Sequence, residues 1–347
     1  MRIATANETY LADEALLSTR TQWAWMAILA LVLICAPFML NSYWLYLACL
    51  VAINIASATG LNILTGYTGL VSLGHAAFMA VGAYTVAWLE GVFGTPFLLN
   101  LVAAGAVAAA IGVLVGIPSL RVKGLYLAIA TIGAAIILQF VFASWTSVTG
   151  GSAGRSIPPA SIFGFELTTY FRLYWVFVPI TALMVMGAAN LFRTRIGRAF
   201  IAIRDRDISA EVLGIPLLRY KLMSFAISSF YAGVAGGMWA YLFRAVRPES
   251  FTVVESIFFL AAIIVGGMGT IIGSVIGAGF MTLVPEILRF GVEAVSPFVQ
   301  NAGTLLSPVR TVAFGALIIL FLVFEPQGIA EIVQRIRRFF HLWPFKK

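Results

Sequence analysis

Between Thr21 and Leu89 the chain carries no Asp, Glu, Lys or Arg, a run of 69 residues without a formal charge. A water-soluble domain has no use for so long an uncharged stretch. A helix crosses a hydrocarbon core of about 30 Å with about 20 apolar residues, so this run alone predicts three transmembrane helices. The remainder agrees: 61% of all residues are hydrophobic and 10% are charged, against about 25% charged in soluble domains. The apolar runs are continuous instead of alternating, which selects helices over a membrane β-barrel. The expected fold class is therefore an all-α integral membrane protein.

Charge-poor runs separated by polar punctuation predict about ten spans, near 23–40, 43–65, 72–89, 97–117, 124–143, 173–192, 222–243, 255–267, 270–288 and 307–324. Basic residues of membrane proteins collect on the cytoplasmic side, so they set the orientation. Arg193 to Lys221 carries seven Arg/Lys against Asp205, Asp207 and Glu211, a net of +4. With that segment cytoplasmic, span parity brings the N-terminus, Arg121, Lys123 and the C-terminal Arg335, Arg337, Arg338, Lys346 and Lys347 to the same face. Residues 144–172 and 244–254 then lie outside. The division expected is a cytoplasmic tail (1–22), a membrane domain (23–324) containing a cytoplasmic loop (194–221), and a cytoplasmic amphipathic tail (325–347). No A-x-A site follows the first apolar run, so its helix is expected to be uncleaved.

Several chemistries lack their residues. There is no G-x-x-x-x-G-K-[ST] phosphate loop, since GGSAGRS at 150–156 has the glycines without the spacing or the Lys. No H-E-x-x-H, Cys/His cluster or paired buried carboxylates occur, so no catalytic residue and no metal ligand is assigned. Cys35 and Cys49 sit in apolar runs and read as packing residues. Nearly charge-free mid-span positions argue against an ion-coupled secondary transporter. Two distant histidines argue against a membrane-embedded enzyme. The net charge of +8 follows from topology and implies contact with the bilayer, not with nucleic acid.

Two segments carry positive signals. In residues 60–85, glycines and hydroxyls crowd between two strong spans, a density that breaks helices and frees backbone groups to hold a polar solute. Thr65, Ser72 and His75 are the candidates for a substrate pathway; His75 can equally be hydrogen-bonded within the bundle. In residues 194–221, Ala199, Ile203, Ile208, Val212 and Leu213 interleave with charges at helical spacing until Gly214 ends the run. This predicts an amphipathic helix at the membrane surface, and its mixed charge suits a protein partner better than lipid. Gly112/Gly116, Gly233/Gly237 and Gly269/Gly273/Gly277 recur every four residues and predict close helix seams.

SLGHAAFMAVGAYT (72–85), RVKGLYLAIATI (121–132), GRAFIAIRDRDISAEVLGI (197–215) and VGGMGTIIGSVIGA (265–278) occur in order. Together they resemble the permeases of branched-chain amino acid ABC importers, of the LivM type. The resemblance implies an ABC-importer permease bundle in the bacterial inner membrane that moves branched-chain amino acids by alternating access. Importers of urea, short amides and aromatic acids use similar permeases, so these remain alternative substrates. It also implies a second, related permease subunit, two cytoplasmic ATPase subunits that bind ATP and Mg, and a periplasmic substrate-binding protein. This chain would carry no cofactor and no enzyme activity of its own. Its segment 199–215 would be the coupling loop, with Arg204, Asp205, Glu211 and Gly214 as the residues through which the ATPase acts.

Overall fold

The computed structural model describes residues 20–295, apart from 123, 163 and 164, and a few later positions including 328–332. The span expected at 307–324 and the tails expected at 1–22 and 325–347 lie almost wholly outside the described residues. Among the described residues, eleven α-helices of six residues or more are numbered in chain order. They are α1 (Arg20–Met39), α2 (Ser42–Asn62, prolonged by a π-turn at Ile63–Tyr67), α3 (His75–Phe93), α4 (Phe97–Ser119), α5 (Leu125–Ser144), α6 (Tyr170–Leu191), α7 (Arg195–Asp205), α8 (Asp207–Val212), α9 (Leu217–Phe243), α10 (Val253–Gly266) and α11 (Ile271–Val295). Four two-residue strands, β1 (Arg155–Ser156), β2 (Ser161–Ile162), β3 (Phe165–Glu166) and β4 (Ala245–Val246), lie in the connections.

Seven of the described helical segments are long and apolar enough to cross a membrane. The sequence count of ten is therefore approximate, and the differences have physical reasons. The apolar part of α1 is short, Ala24–Met39. Helix α9 has 27 residues but is enriched in Ser and Gly. It can be, because it stands at the centre of the bundle, packed on α2, α3 and α4 with most of its residues buried.

The glycine ridges are where these helices meet. A Cβ on Gly82 of α3 would lie 2.1 Å from the Gly233 carbonyl oxygen of α9, and one on Gly236 only 1.9 Å from that of Met79. Gly112 and Gly116 of α4 face Ser229 and Phe225 of α9, and Gly273 and Gly277 of α11 face Gly266 of α10. In lipid no hydrophobic effect drives helices together, so close backbone contact and polar ties must hold them. The ties are present: Asn54 donates to Thr282 at 2.9 Å, Thr181 to the Ala52 carbonyl at 3.0 Å, and Tyr231 to the Met184 carbonyl at 2.8 Å.

The bundle has two distinct ends. The π-turn of α2, the α4–α5 turn, helices α7 and α8, and the α10–α11 turn share one end with the basic cluster. The α3–α4 turn and the long connections 145–169 and 244–252 share the other.

Candidate functional site

The glycine- and hydroxyl-rich segment that follows Asn62 does break the helix. Helix α2 widens into the π-turn, and residues 68–74 are not helical. A π-turn shifts the hydrogen-bond register and leaves carbonyls to be satisfied from elsewhere. The Thr68 hydroxyl donates to the Ile63 carbonyl at 3.0 Å, and the Thr65 hydroxyl donates to the Leu70 carbonyl at 3.1 Å. The Gly66 carbonyl accepts from Arg204 Nη1 at 2.9 Å.

From there the chain turns back into the bundle before α3 begins. His75 Nε2 lies 3.0 Å from the carbonyl oxygen of Ser57, which is nine residues, or about 13 Å of helix, before Gly66. A carbonyl only accepts, so Nε2 carries the proton. Helix α3 therefore starts deep inside, not at a membrane face. Its first turn meets α10, whose Ser256 Oγ accepts from the Ala76 amide at 3.0 Å, and α5, whose Thr131 Oγ1 accepts from the Leu73 amide at 3.0 Å. Thr65, Ser72 and His75 are all buried here, and each is hydrogen-bonded within the bundle. Four helices, α2, α3, α5 and α10, converge on this point.

The loop predicted to carry coupling forms two short helices instead of one. Arg206, with extended backbone (φ −157°, ψ 104°), separates α7 from α8. The break divides the labour of the apolar residues. Ala199, Phe200 and Ile203 of α7 are buried, whereas Ile208, Val212 and Leu213 on or next to α8 are 71%, 83% and 80% exposed. Asp207 opens α8, where an acidic side chain is favoured by the helix dipole, and lies 3.7 Å from Lys221 of α9. Gly214 then stops the helix in the left-handed region (φ +84°), with open space around its Cα. Between α7, α8, the π-turn and the α4–α5 turn opens a cavity of ≈ 540 Å³ lined by Arg204, Asp205, Arg206, Asp207 and Lys221 among others. Arg204 and Asp205 border this cavity; Glu211 and Gly214 lie on the exposed side of α8. Thr65, Ser72 and His75 do not line it.

The opposite end brings together two loops that are distant in sequence. Strands β1 and β4 pair antiparallel, Arg155 with Val246 and Ser156 with Ala245, so connections 144–172 and 244–254 form one surface. Sequence reasoning also missed a buried carboxylate there. The span expected at 72–89 was closed by the charge of Glu90, yet α3 continues to Phe93 and Glu90 is only 9% exposed. Asn100 of α4 and Tyr241 of α9 donate to the same Glu90 oxygen at 2.6 Å and 2.8 Å. Asn62, buried and bonded to Thr270 and Ser274, was missed as well; a carboxamide in an uncharged run was the available signal.

Comparison with known proteins matches residues 43–324 to the family model described as the permease component of a branched-chain amino acid transport system. The high-affinity branched-chain amino acid transport system permease protein LivM of Escherichia coli (strain K12) is 33% identical over 336 residues, covering 90% of this chain and 76% of that protein. The protein of the same description from Salmonella typhimurium gives the same figures of 33%, 90% and 76%. The probable branched-chain amino acid transport permease protein LivH of Methanocaldococcus jannaschii is 27% identical over 246 residues, 67% of this chain and 75% of that one. A multi-pass helical bundle with a family match across most of its length leaves one conclusion: this chain belongs to the family of permease components of branched-chain amino acid transport systems.

Proposed function

We propose that this chain is the permease subunit of an ATP-driven importer that moves leucine, isoleucine and valine across the bacterial inner membrane by alternating access. The names of its relatives support the substrate class. It pairs with a second, related permease. Two cytoplasmic ATPase subunits bind ATP and Mg, and a periplasmic binding protein delivers the amino acid to the surface formed around β1 and β4. Both termini lie in the cytoplasm, on the side of the basic cluster. The membrane domain occupies 23–324, with 194–221 as its coupling loop and 325–347 as a surface tail. The substrate passes near the start of α3, where Thr65, Ser72 and His75 exchange their hydrogen bonds within the bundle for bonds to the zwitterion. The positive end of the α3 dipole favours its carboxylate.

One observation carries the coupling role. Ile208, Val212 and Leu213 form an apolar face exposed to 71%, 83% and 80%, at the end of the bundle that holds the basic cluster. An apolar patch among charges of both signs suits a protein partner better than lipid. Of the four coupling residues, Glu211 and Gly214 flank that contact, while Arg204 and Asp205 stand behind it at the cavity. The full importer reconstituted in liposomes, with binding protein outside and ATP inside, should accumulate leucine, isoleucine and valine in preference to urea, short amides and aromatic acids. Val212→Asp should abolish co-purification of the ATPase. Uptake of another class, or an unchanged ATPase contact in the variant, would overturn the corresponding part of the reading.

A further inference from the structure

The contacts around Asn62 join elements that no sequence motif links. Asn62 Nδ2 donates to the Thr270 carbonyl at 2.8 Å and to Ser274 Oγ at 2.7 Å. Its Oδ1 accepts from the Gly269 amide at 2.9 Å. One carboxamide on α2 thus uses its donors and acceptor to fix the α10–α11 turn. The same place receives Arg204 from α7, whose Nη1 lies 2.9 Å from the Gly66 carbonyl oxygen.

Glycine is required where these groups converge. A Cβ on Gly66 would fall 1.8 Å from Asn62 Oδ1 and 2.5 Å from the Gly269 amide nitrogen. A Cβ on Gly269 (φ +75°) would fall 2.5 Å from Arg204 Nη1, and one on Gly69 (φ +75°) 3.1 Å from Arg204 Cγ. The arginine is therefore seated against two backbones with no side chain between them. Its Nη1 reaches inward to the π-turn, while the side chain as a whole is 40% exposed and its Nε lies 3.4 Å from Asp205 Oδ1.

We propose that Arg204 and Asn62 form one relay, in which Arg204 hands displacement of α7–α8 to the π-turn of α2 and Asn62 passes it to the α10–α11 turn. This rests on the reading of α7–α8 as the coupling segment. Arg204 is then a positioning residue between loop and membrane domain, not an ATPase-docking residue. The geometry explains why both partners are needed. Helices α2 and α10 both reach the first turn of α3, through Ser57 and Ser256, so a shift of the π-turn that Asn62 passes to the turn after α10 arrives at α3 from two sides at once.

The test uses the complete importer in liposomes and reads uptake per ATP hydrolysed, with ATPase co-purification measured in parallel. Arg204→Gln and Asn62→Ala should each lower that ratio at least tenfold while the ATPase stays attached, and Arg204→Lys should restore part of it. Gly269→Ala, which leaves the arginine in the sequence but fills its seat, should behave as Arg204→Gln does. The double variant Arg204→Gln/Asn62→Ala should be no worse than either single one, because links of one relay are not additive. A wild-type ratio in Arg204→Gln, loss of the ATPase as in Val212→Asp, or multiplying losses in the double variant would overturn the proposal. If Val212→Asp keeps its ATPase, the docking reading fails while the ratio in Arg204→Gln still decides the relay. Should a variant not assemble, amide exchange of the unaltered complex decides. Peptides covering 203–209, 62–74 and 266–274 should change protection together on nucleotide trapping; a change confined to 203–209 refutes the relay.

Discussion

The seam between α3 and α9 permits a sharp test of what holds the bundle together. Gly82→Ala and Gly236→Ala each add one methyl group to a helix, where alanine is intrinsically better than glycine by about 1 kcal/mol. Propensity alone predicts stabilisation. The structure predicts the reverse, because the new Cβ atoms would lie 2.1 Å and 1.9 Å from carbonyl oxygens of the facing helix. These are backbone atoms, so no side-chain rotation relieves the clash, and the helices must separate by about 1 Å or more. Overpacking of this kind costs about 1–3 kcal/mol. A clash with backbone atoms belongs at the upper end of that range, about 2–3 kcal/mol, so after the propensity gain of about 1 kcal/mol the net loss expected is about 1–2 kcal/mol, a factor of roughly 5–30 in the folded-to-unfolded ratio. Gly133→Ala on α5 is the control, since its Cβ would meet nothing within 4 Å, and it should be neutral or slightly stabilising. Reversible unfolding of the purified subunit in mixed micelles, followed by tryptophan fluorescence, reads all three. If Gly82→Ala and Gly236→Ala are as stable as Gly133→Ala, close backbone contact does not hold these helices.

How much of this was legible in the sequence depends on the range of each interaction. The helical membrane class, the break after Asn62 and the glycine seams were legible because composition and four-residue spacing are local. The amphipathic character of residues 194–221 was legible too, but not its division at Arg206. That break coincides with contacts beyond the two short helices: Asp207 faces Lys221 of α9 and Arg204 reaches Gly66. Glu90 misled the reading because a lone carboxylate at the end of an apolar run reads as a boundary. Its partners lie 10 and 151 residues away, and only the fold brings them together. The pairing of β1 with β4 had no signal, since two-residue strands have no periodicity to read. The candidates at Thr65, Ser72 and His75 were found by type, but their burial beside α5 and α10 depends on α3 starting deep in the bundle, which no local pattern encodes.

A cysteine introduced at Ser152, in the surface built on β1 and β4, should react with an impermeant maleimide added to intact spheroplasts; labelling only after permeabilisation would invert the proposed topology. Gly214 sits at φ +84° in open space, so its constraint is backbone conformation alone. Gly214→Val should impair ATP-coupled uptake while the chain remains in the membrane, and Gly214→Asn, which tolerates the left-handed region, should retain it; normal uptake in the valine variant would remove Gly214 from the coupling role. The last prediction concerns Glu90. Tyr241→Phe deletes one of the two donors to its buried oxygen, and a buried charge left short of a partner costs about 1–3 kcal/mol or more. In a Glu90→Gln background the acceptor is a neutral amide whose burial is cheaper, so the same Tyr241→Phe change should cost distinctly less. Unfolding of the four proteins in the cycle measures this coupling directly. Equal losses in both backgrounds would mean that Tyr241 contributes by packing and by the bond its hydroxyl accepts from Asn100 Nδ2 at 2.9 Å, and that the carboxylate is held by Asn100.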